Sequence, residues 1–313
     1  MRIKNAFRIL FSNVNYLYRA TLYRSVCTAI AVLIAYFGIR PGLAPVFSAE
    51  EYYKLLENLR DIFTGFFQGT GVKAATDALP ATFAAFLSMV KDHMWGIKWA
   101  AAGGVIVLYV WHMLLAAGDY AFGKIFNGHM SSYTHFGFLP TFFVSIGKAF
   151  QYGSLISLFF LISGALVFFV SITIAVYLIQ YISVLAILLG ILLLVFGLAT
   201  RNALVSKLLP VMINENVNFF KAFKRSLPSG KSFMSLTGNY AFMLMLLYYI
   251  NASIALFTFL VGLIVSLPFS ALAVVSLNLV DYYCTNDKKF YVDYTNVAGA
   301  EKEGQDSDYL KLM

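Results

Sequence analysis

Residues 201–231 read RNALVSKLLPVMINENVNFFKAFKRSLPSGK and carry six Lys or Arg. On each side lies a hydrophobic run without one Asp, Glu, Lys or Arg: 52 residues before it (149–200) and 49 after it (232–280). A transmembrane helix needs about 20 apolar residues, so each run is too long for one crossing and suits two joined by a tight turn. The first turn is expected near residues 176–180. The second is not placed, because Asn251 and Pro268 both interrupt its run. The basic stretch thus connects two membrane hairpins.

Composition agrees with a chain whose solvent is largely lipid. Of 313 residues, 60% are hydrophobic, mean hydropathy is +0.75, and 12% are charged, against about 25% in soluble domains. The two cysteines, Cys27 and Cys284, have no Cys/His spacing around them and read as small apolar fillers.

Toward the N-terminus, residues 1–24 repeat Ile3, Phe7, Leu10, Val14, Leu17 and Leu22 at helical spacing and add five positive charges, Arg2, Lys4, Arg8, Arg19 and Arg24, with no acid. This pattern predicts a basic helix lying in the headgroup region. A signal peptide fits less well, since the basic region is long and the cleavage position would hold the bulky Phe47. The first crossing covers about residues 20–39, overlapping the segment 25–47 assigned to it, and Arg24 must snorkel to the interface. Arg40-Pro41-Gly42 and Pro45 are expected to end it.

Residues 48–98 begin with Ser48-Ala49-Glu50-Glu51, a capping-box pattern. Tyr52, Leu55, Leu56, Leu59, Ile62, Phe63 and Phe66 then define one apolar face. Gly69-Thr70-Gly71 breaks the helix, and a second follows with Leu79, Phe83, Phe86, Leu87 and Val90 on its face, Pro80 being tolerable in its first turn. The two helices are expected either to pack as a hairpin or to lie on the outer leaflet. Residues 99–118 make the second crossing, residues 119–148 read as an aromatic, Gly-rich loop, and the last residues, GAEKEGQDSDYLKLM, read as disordered.

The expected fold is all-α: a polytopic bundle of six transmembrane helices with amphipathic interfacial helices. It comprises a basic helix (1–24), a first span (25–47), an extracytoplasmic hairpin (48–98), a five-span bundle (99–283) with cytoplasmic segments 119–148 and 201–231, and a cytoplasmic tail (284–313). Putting both termini on one side gives that side 17 of the 23 Lys+Arg and nine of the 15 acids, hence the whole net charge of +8. By the positive-inside bias that side is the cytoplasm. Anionic headgroups then account for the basicity, and nucleic acid is not needed as a partner. Gly147-Lys148-Ala149-Phe150 and Gly230-Lys231-Ser232-Phe233 precede the two double spans and hint at a duplicated unit of the kind transporters carry.

Catalytic patterns are wanting. Gly230-Lys231-Ser232 lacks the upstream Gly of a phosphate loop, Arg225 standing there. Asn251-Ala252-Ser253 matches the glycosylation triplet but is embedded in the membrane. His129 and His135 are six apart, not at the i, i+4 spacing of a helical metal site, so neither metal nor cofactor is expected. There is no G-x-S-x-G and no H-E-x-x-H. The polar residues placed within or at the ends of spans are His112, Asn251, Asn278, Asp119 and Asp281, and such residues are functional candidates by default. His112 has a plain alternative role as a neutral partner of a neighbouring helix. Asp119 and Asp281 are expected to end their helices at one membrane face, each within reach of a Lys or Arg.

The 201–231 stretch itself suggests a surface helix. Pro210 is expected to turn the chain and Asn216 or Asn218 to cap the helix. Phe219, Phe220, Phe223 and Leu227 line one side, with Lys221, Lys224 and Arg225 on the other. The functional reading is contact with anionic lipid or a partner protein through Arg2, Arg8, Phe219, Lys221, Phe223, Lys224 and Arg225. The alternative is a solvated loop that only sets topology.

The run Asn216-Val217-Asn218-Phe219-Phe220-Lys221-Ala222-Phe223-Lys224-Arg225-Ser226, with Tyr282-Tyr283 and Lys288-Lys289-Phe290-Tyr291-Val292-Asp293 near the end, resembles a loose group of six-span bacterial membrane proteins. That group includes the membrane domain of some Gram-positive glycerophosphodiester phosphodiesterases. The resemblance covers about residues 100–295 and implies a bacterial plasma-membrane protein. It carries over no activity, because the phosphodiesterase domain and its catalytic pattern are missing.

Three functions follow in order of preference: a non-enzymatic accessory or scaffold subunit acting through the basic cytoplasmic face; a small-solute or lipid transporter using His112, Asn251 and Asn278; and a membrane enzyme acting on lipid through His112, Asp119 and Asp281.

Overall fold

The computed structural model describes residues 2–68, 72–132, 136–228, 230–291 and 309–310. The Gly69-Thr70-Gly71 break, His135 and most of the polar tail lie outside them.

The chain folds as an all-α bundle. In order come α1 (Arg2–Ser12), α2 (Asn15–Phe47), α3 (Glu50–Gln68), α4 (Val72–Asp92), α5 (Met94–Ser132), α6 (Phe138–Val144), α7 (Ile146–Val205), α8 (Leu208–Asn214), α9 (Phe219–Ser226), α10 (Gly230–Phe257) and α11 (Leu263–Thr285). A single antiparallel pairing of Phe290–Tyr291 (β1) with Tyr309–Leu310 (β2) follows. Among the described residues six helical stretches are long and apolar enough to cross a membrane: Asn15–Phe47, Met94–Ser132, Ile146–Leu178, Leu188–Asn214, Phe233–Phe257 and Leu263–Thr285. Helices suit this environment because they satisfy every backbone polar group within the segment.

α7 holds two of these spans. A straight helix of 60 residues would be ~90 Å long, three times the ~30 Å of hydrocarbon. Instead the chain doubles back. The Arg201 guanidinium reaches the Phe160 carbonyl at 3.4 Å, Gly197 lies against Val167, and Gly190 against Ala175. The reversal therefore lies between residues 175 and 190, which includes the expected 176–180. The last hairpin turns at Thr258–Gly262, where Phe259 (φ 48°) and Leu260 (φ 72°) adopt left-handed backbone. The Thr258 hydroxyl accepts the Gly262 N–H at 2.8 Å. Asn251 and Pro268 both sit inside helices, away from this turn.

The chain divides into two compact units, one of residues 1–27 and 112–313, the other of residues 28–111. In the second, α3 and α4 pack as a hairpin, joined by an Asn58–Thr82 side-chain hydrogen bond of 3.0 Å. The packed side of α3 is Tyr52, Leu55, Asn58 and Ile62, whereas Leu56, Leu59 and Phe63 face outward, as do Phe83 and Leu87 of α4. The apolar face read from the sequence is thus split between packing and exposure. The capping box does not form: the Ser48 hydroxyl donates back to the Pro45 carbonyl at 3.3 Å, and Glu50 pairs with Lys54 at 2.7 Å. That pair holds the Glu50 carboxyl below its ordinary range and the Lys54 ammonium above it. α2 does not stop at Arg40-Pro41-Gly42 but runs to Phe47. It crosses α5 where Gly42 meets Gly96, and a Cβ on Gly42 would stand 2.6 Å from the Gly96 carbonyl oxygen. Small residues let membrane helices approach this closely.

The first unit contains the hydrophobic core. From Trp99 to Asp119, α5 rises ~30 Å, the thickness of the hydrocarbon layer. The helix then continues to Ser132, so residues 119–132 are not the loop expected. They form the last turns of α5, with Tyr120, Phe122, Ile125, Phe126 and Met130 at most 2% exposed. Around this end gather α1, α6, α8, α9, the last turns of α11 and Phe290, all sharing one buried cluster. Packing there removes apolar surface from water, and each fully buried Ile or Leu contributes about 1.5–3 kcal/mol.

Two further expectations change. The apolar stripe of α1 does not face lipid: Ile9 and Leu10 are buried, and Phe7 stacks on Phe269 of α11 at 6.2 Å. Residues 201–214 are not a surface connection either. Span four continues to Asn214, with Ala203, Leu208, Leu209 and Met212 at most 1% exposed. Pro210 is the third residue of α8, where its missing N–H costs nothing, and the break falls at Ser206–Lys207 instead.

Candidate functional site

The cluster around the end of α5, here called the cap, carries most of the charged and polar side chains singled out in the sequence. Arg2 of α1 forms an ion pair with Asp281 of α11, whose side chain is 1% exposed. The second Asp281 oxygen has no hydrogen-bond partner among the described residues, and Lys207 lies within electrostatic reach. Arg24 of α2 forms the matching pair with Asp119 of α5. Neither aspartate ends its helix: α5 continues to Ser132 and α11 to Thr285. The N-terminal segment thus supplies the counterion for both.

Hydrogen bonds tie the cap together. The Asn127 side-chain oxygen accepts from the Asn214 amide at 3.0 Å and the Tyr283 hydroxyl at 3.1 Å, joining α5, α8 and α11. The Lys148 ammonium donates to the Asn216 carbonyl at 2.7 Å, and Asn216 takes the left-handed conformation (φ 54°) that Asn tolerates. Asn218 fills the N-cap position of α9 through its backbone, without a side-chain cap. Such a web matters because a buried polar group left unpaired costs more than a made bond contributes.

α9 is the presented surface. Phe219, Ala222 and Ser226 are buried against the cap and Phe223 is half-buried. Lys221, Lys224 and Arg225 point outward, with Phe220 70% exposed beside them. Arg225 is engaged by Glu215. Arg8 is half-buried on α1.

The remaining polar candidates do not converge. Asn251 donates to Ser270 at 2.9 Å, and Tyr240 donates to Asn278. Both bonds simply join α10 to α11. His112 sits elsewhere, within electrostatic reach of Arg201 and Arg24. In the His112, Asp119 and Asp281 set each carboxylate is bound to its own arginine. Among the described residues no three His, Cys, Asp or Glu side chains gather as metal ligands do.

Comparison with known proteins adds nothing to this geometry. No family model, curated protein or solved structure matches this chain.

Several structural residues were not singled out in the sequence. Gly42, Gly96 and Gly153 form close helix crossings; a Cβ on Gly153 would stand 2.5 Å from the Met113 carbonyl oxygen. A signal existed in the small-xxx-small spacings Gly38/Gly42, Gly96/Ala100 and Ala149/Gly153. Arg201 packs over the Phe160 ring at 4.3 Å inside the bundle, although its charge suggested a boundary.

Proposed function

We propose that this chain is a multi-pass plasma-membrane protein with both termini in the cytoplasm. In this reading it serves as a non-enzymatic accessory or scaffold subunit, and its basic cap is the working surface. The observation that carries the reading is the posture of α9. A helix of eight residues is too short to be stable alone, yet Phe219 and Ala222 anchor it and leave Lys221, Lys224 and Phe220 outward. An ordered basic and aromatic patch of this kind suits anionic headgroups or an acidic protein surface. The positive charge of the terminal segments supports the cytoplasmic placement.

The patch is preferred over a transport path because the intramembrane polar residues pair off between neighbouring helices. The deciding experiment is affinity recovery of the tagged chain from native membranes, wild type against Lys221→Glu/Lys224→Glu. Loss of a co-purifying protein at low salt, with the bundle's thermal stability unchanged, supports the proposal. An unaltered set of co-purifying proteins would count against it. Arg225 is left intact in this variant because its pair with Glu215 is structural.

A further inference from the structure

A groove of about 560 Å³ opens beside the cap, between the start of α2 and α6. Its walls are Leu22, Tyr23 and Val26 on one side and Gly137, Phe138, Leu139 and Pro140 on the other, with Arg19 at one end. The volume falls in the range of ~300–1,000 Å³ typical of ligand sites.

The walls are preformed. Phe138 stacks on Phe122 at 4.4 Å and meets the Tyr23 ring edge-on at 5.2 Å. The Tyr23 hydroxyl donates to the Leu114 carbonyl at 2.7 Å. The Tyr16 hydroxyl donates to the Phe136 carbonyl at 3.0 Å, fastening α2 to the residues that lead into α6. The groove therefore does not depend on a ligand to hold it open.

Its chemistry is two-part. The lining is almost wholly apolar, and Leu22 and Leu139 stand 49% and 62% exposed. Among the described residues Arg19 is the only charged one that lines it. Its guanidinium lies over the Tyr16 ring at 5.2 Å, and among the described residues no carboxylate forms an ion pair with it. Arg24, five residues further along α2, is already committed to Asp119, so Arg19 is the cation left for a ligand. Phe143 and Val144 of α6, 63% and 81% exposed, add further apolar surface on the same helix.

We propose that this groove holds one anionic glycerophospholipid of the surrounding leaflet, an acyl chain along Leu22, Val26 and Leu139 and the phosphate at Arg19. Charge complementarity selects the occupant: an apolar trough ending in one unpaired guanidinium fits a chain ending in a phosphate. The assignment requires that the bundle sit in a bilayer, and it does not depend on the scaffold role of α9.

The test uses the delipidated full chain in detergent, titrated with phosphatidylglycerol or phosphatidylcholine and read by native mass spectrometry. One phosphatidylglycerol should bind more tightly than any further copy, and in preference to phosphatidylcholine. Arg19→Ala should weaken it about tenfold, the scale of one charge-assisted hydrogen bond. Val26→Trp and Leu139→Trp, which fill the groove from opposite walls, should each remove it. Glycerol phosphate, having the headgroup without the chain, should not compete. Equal binding of the two lipids, wild-type affinity in Arg19→Ala, or an unaffected tight site in both tryptophan variants would overturn the assignment. Thermal unfolding of each variant separates loss of the site from loss of the fold.

Discussion

Arg2 and Asp281 are bonded to one another across 279 residues of chain. The first helix thereby latches onto the last, and a segment whose charges look destined for headgroups instead neutralises a buried carboxylate. Arg24 and Asp119 repeat the arrangement one helix later. Two of the five basic residues of the N-terminal segment are in this sense part of the bundle's packing.

The latch predicts an asymmetry. Arg2→Met leaves the Asp281 carboxylate buried and unpaired, which costs about 2–3 kcal/mol, somewhat below a fully enclosed pair because the Arg2 side chain keeps 31% of its exposure. Asp281→Asn costs less, since the freed guanidinium can reach water. The double variant should recover most of the Arg2→Met loss. Thermal unfolding in detergent reads all three, and additive losses in the double variant would show that the two side chains act separately.

Asn127 should be the most sensitive polar residue of the cap. Asn127→Leu removes the acceptor shared by the Tyr283 hydroxyl and the Asn214 amide, two lost bonds at about 0.5–1.5 kcal/mol each, while the amide keeps its bond to the Pro210 carbonyl at 2.9 Å. Tyr283→Phe removes one bond and leaves Asn127 still paired with Asn214, so about 0.5–1.5 kcal/mol is expected. Denaturation midpoints for the two variants check the ordering.

The Gly42–Gly96 crossing should reject any side chain. Gly42→Ala or Gly96→Ala forces the α2 and α5 backbones apart, for about 1–3 kcal/mol by overpacking. Gly38 is the control, because nothing lies within 4 Å of its would-be Cβ. Gly38→Ala should be neutral or slightly stabilising, given the cost of Gly in a helix. Equal behaviour of Gly38 and Gly42 variants would remove the crossing from this account.

The membrane architecture is legible in the sequence because charge is expensive in hydrocarbon. Two uncharged runs of 52 and 49 residues leave room for little except two hairpins. The cap is less legible. The period of Ile3, Phe7 and Leu10 announces a buried face, but period alone does not distinguish acyl chains from α11, since both are apolar. The Thr258–Gly262 turn was hidden for a different reason: its left-handed positions are Phe259 and Leu260, residues that carry no turn signal. Residues 119–132 looked like a loop because of their Gly and aromatic content. Tertiary packing of Phe122 and Phe126 overrides that preference and keeps them helical. For α9, spacing alone assigned the outward set Lys221, Lys224 and Arg225. The Arg225–Glu215 pair emerged only with the chain folded.

Site-directed labelling reads out the proposed orientation, six spans with the basic cap and α9 in the cytoplasm. Cys27 and Cys284 are first replaced by Ala, and single cysteines are introduced at Arg60 on α3 and Lys221 on α9, both exposed. Spheroplasts of an expressing bacterial host are then treated with a membrane-impermeant maleimide. The account predicts labelling of Arg60→Cys in intact spheroplasts and of Lys221→Cys only after permeabilisation. Labelling of Lys221→Cys in intact spheroplasts would contradict it.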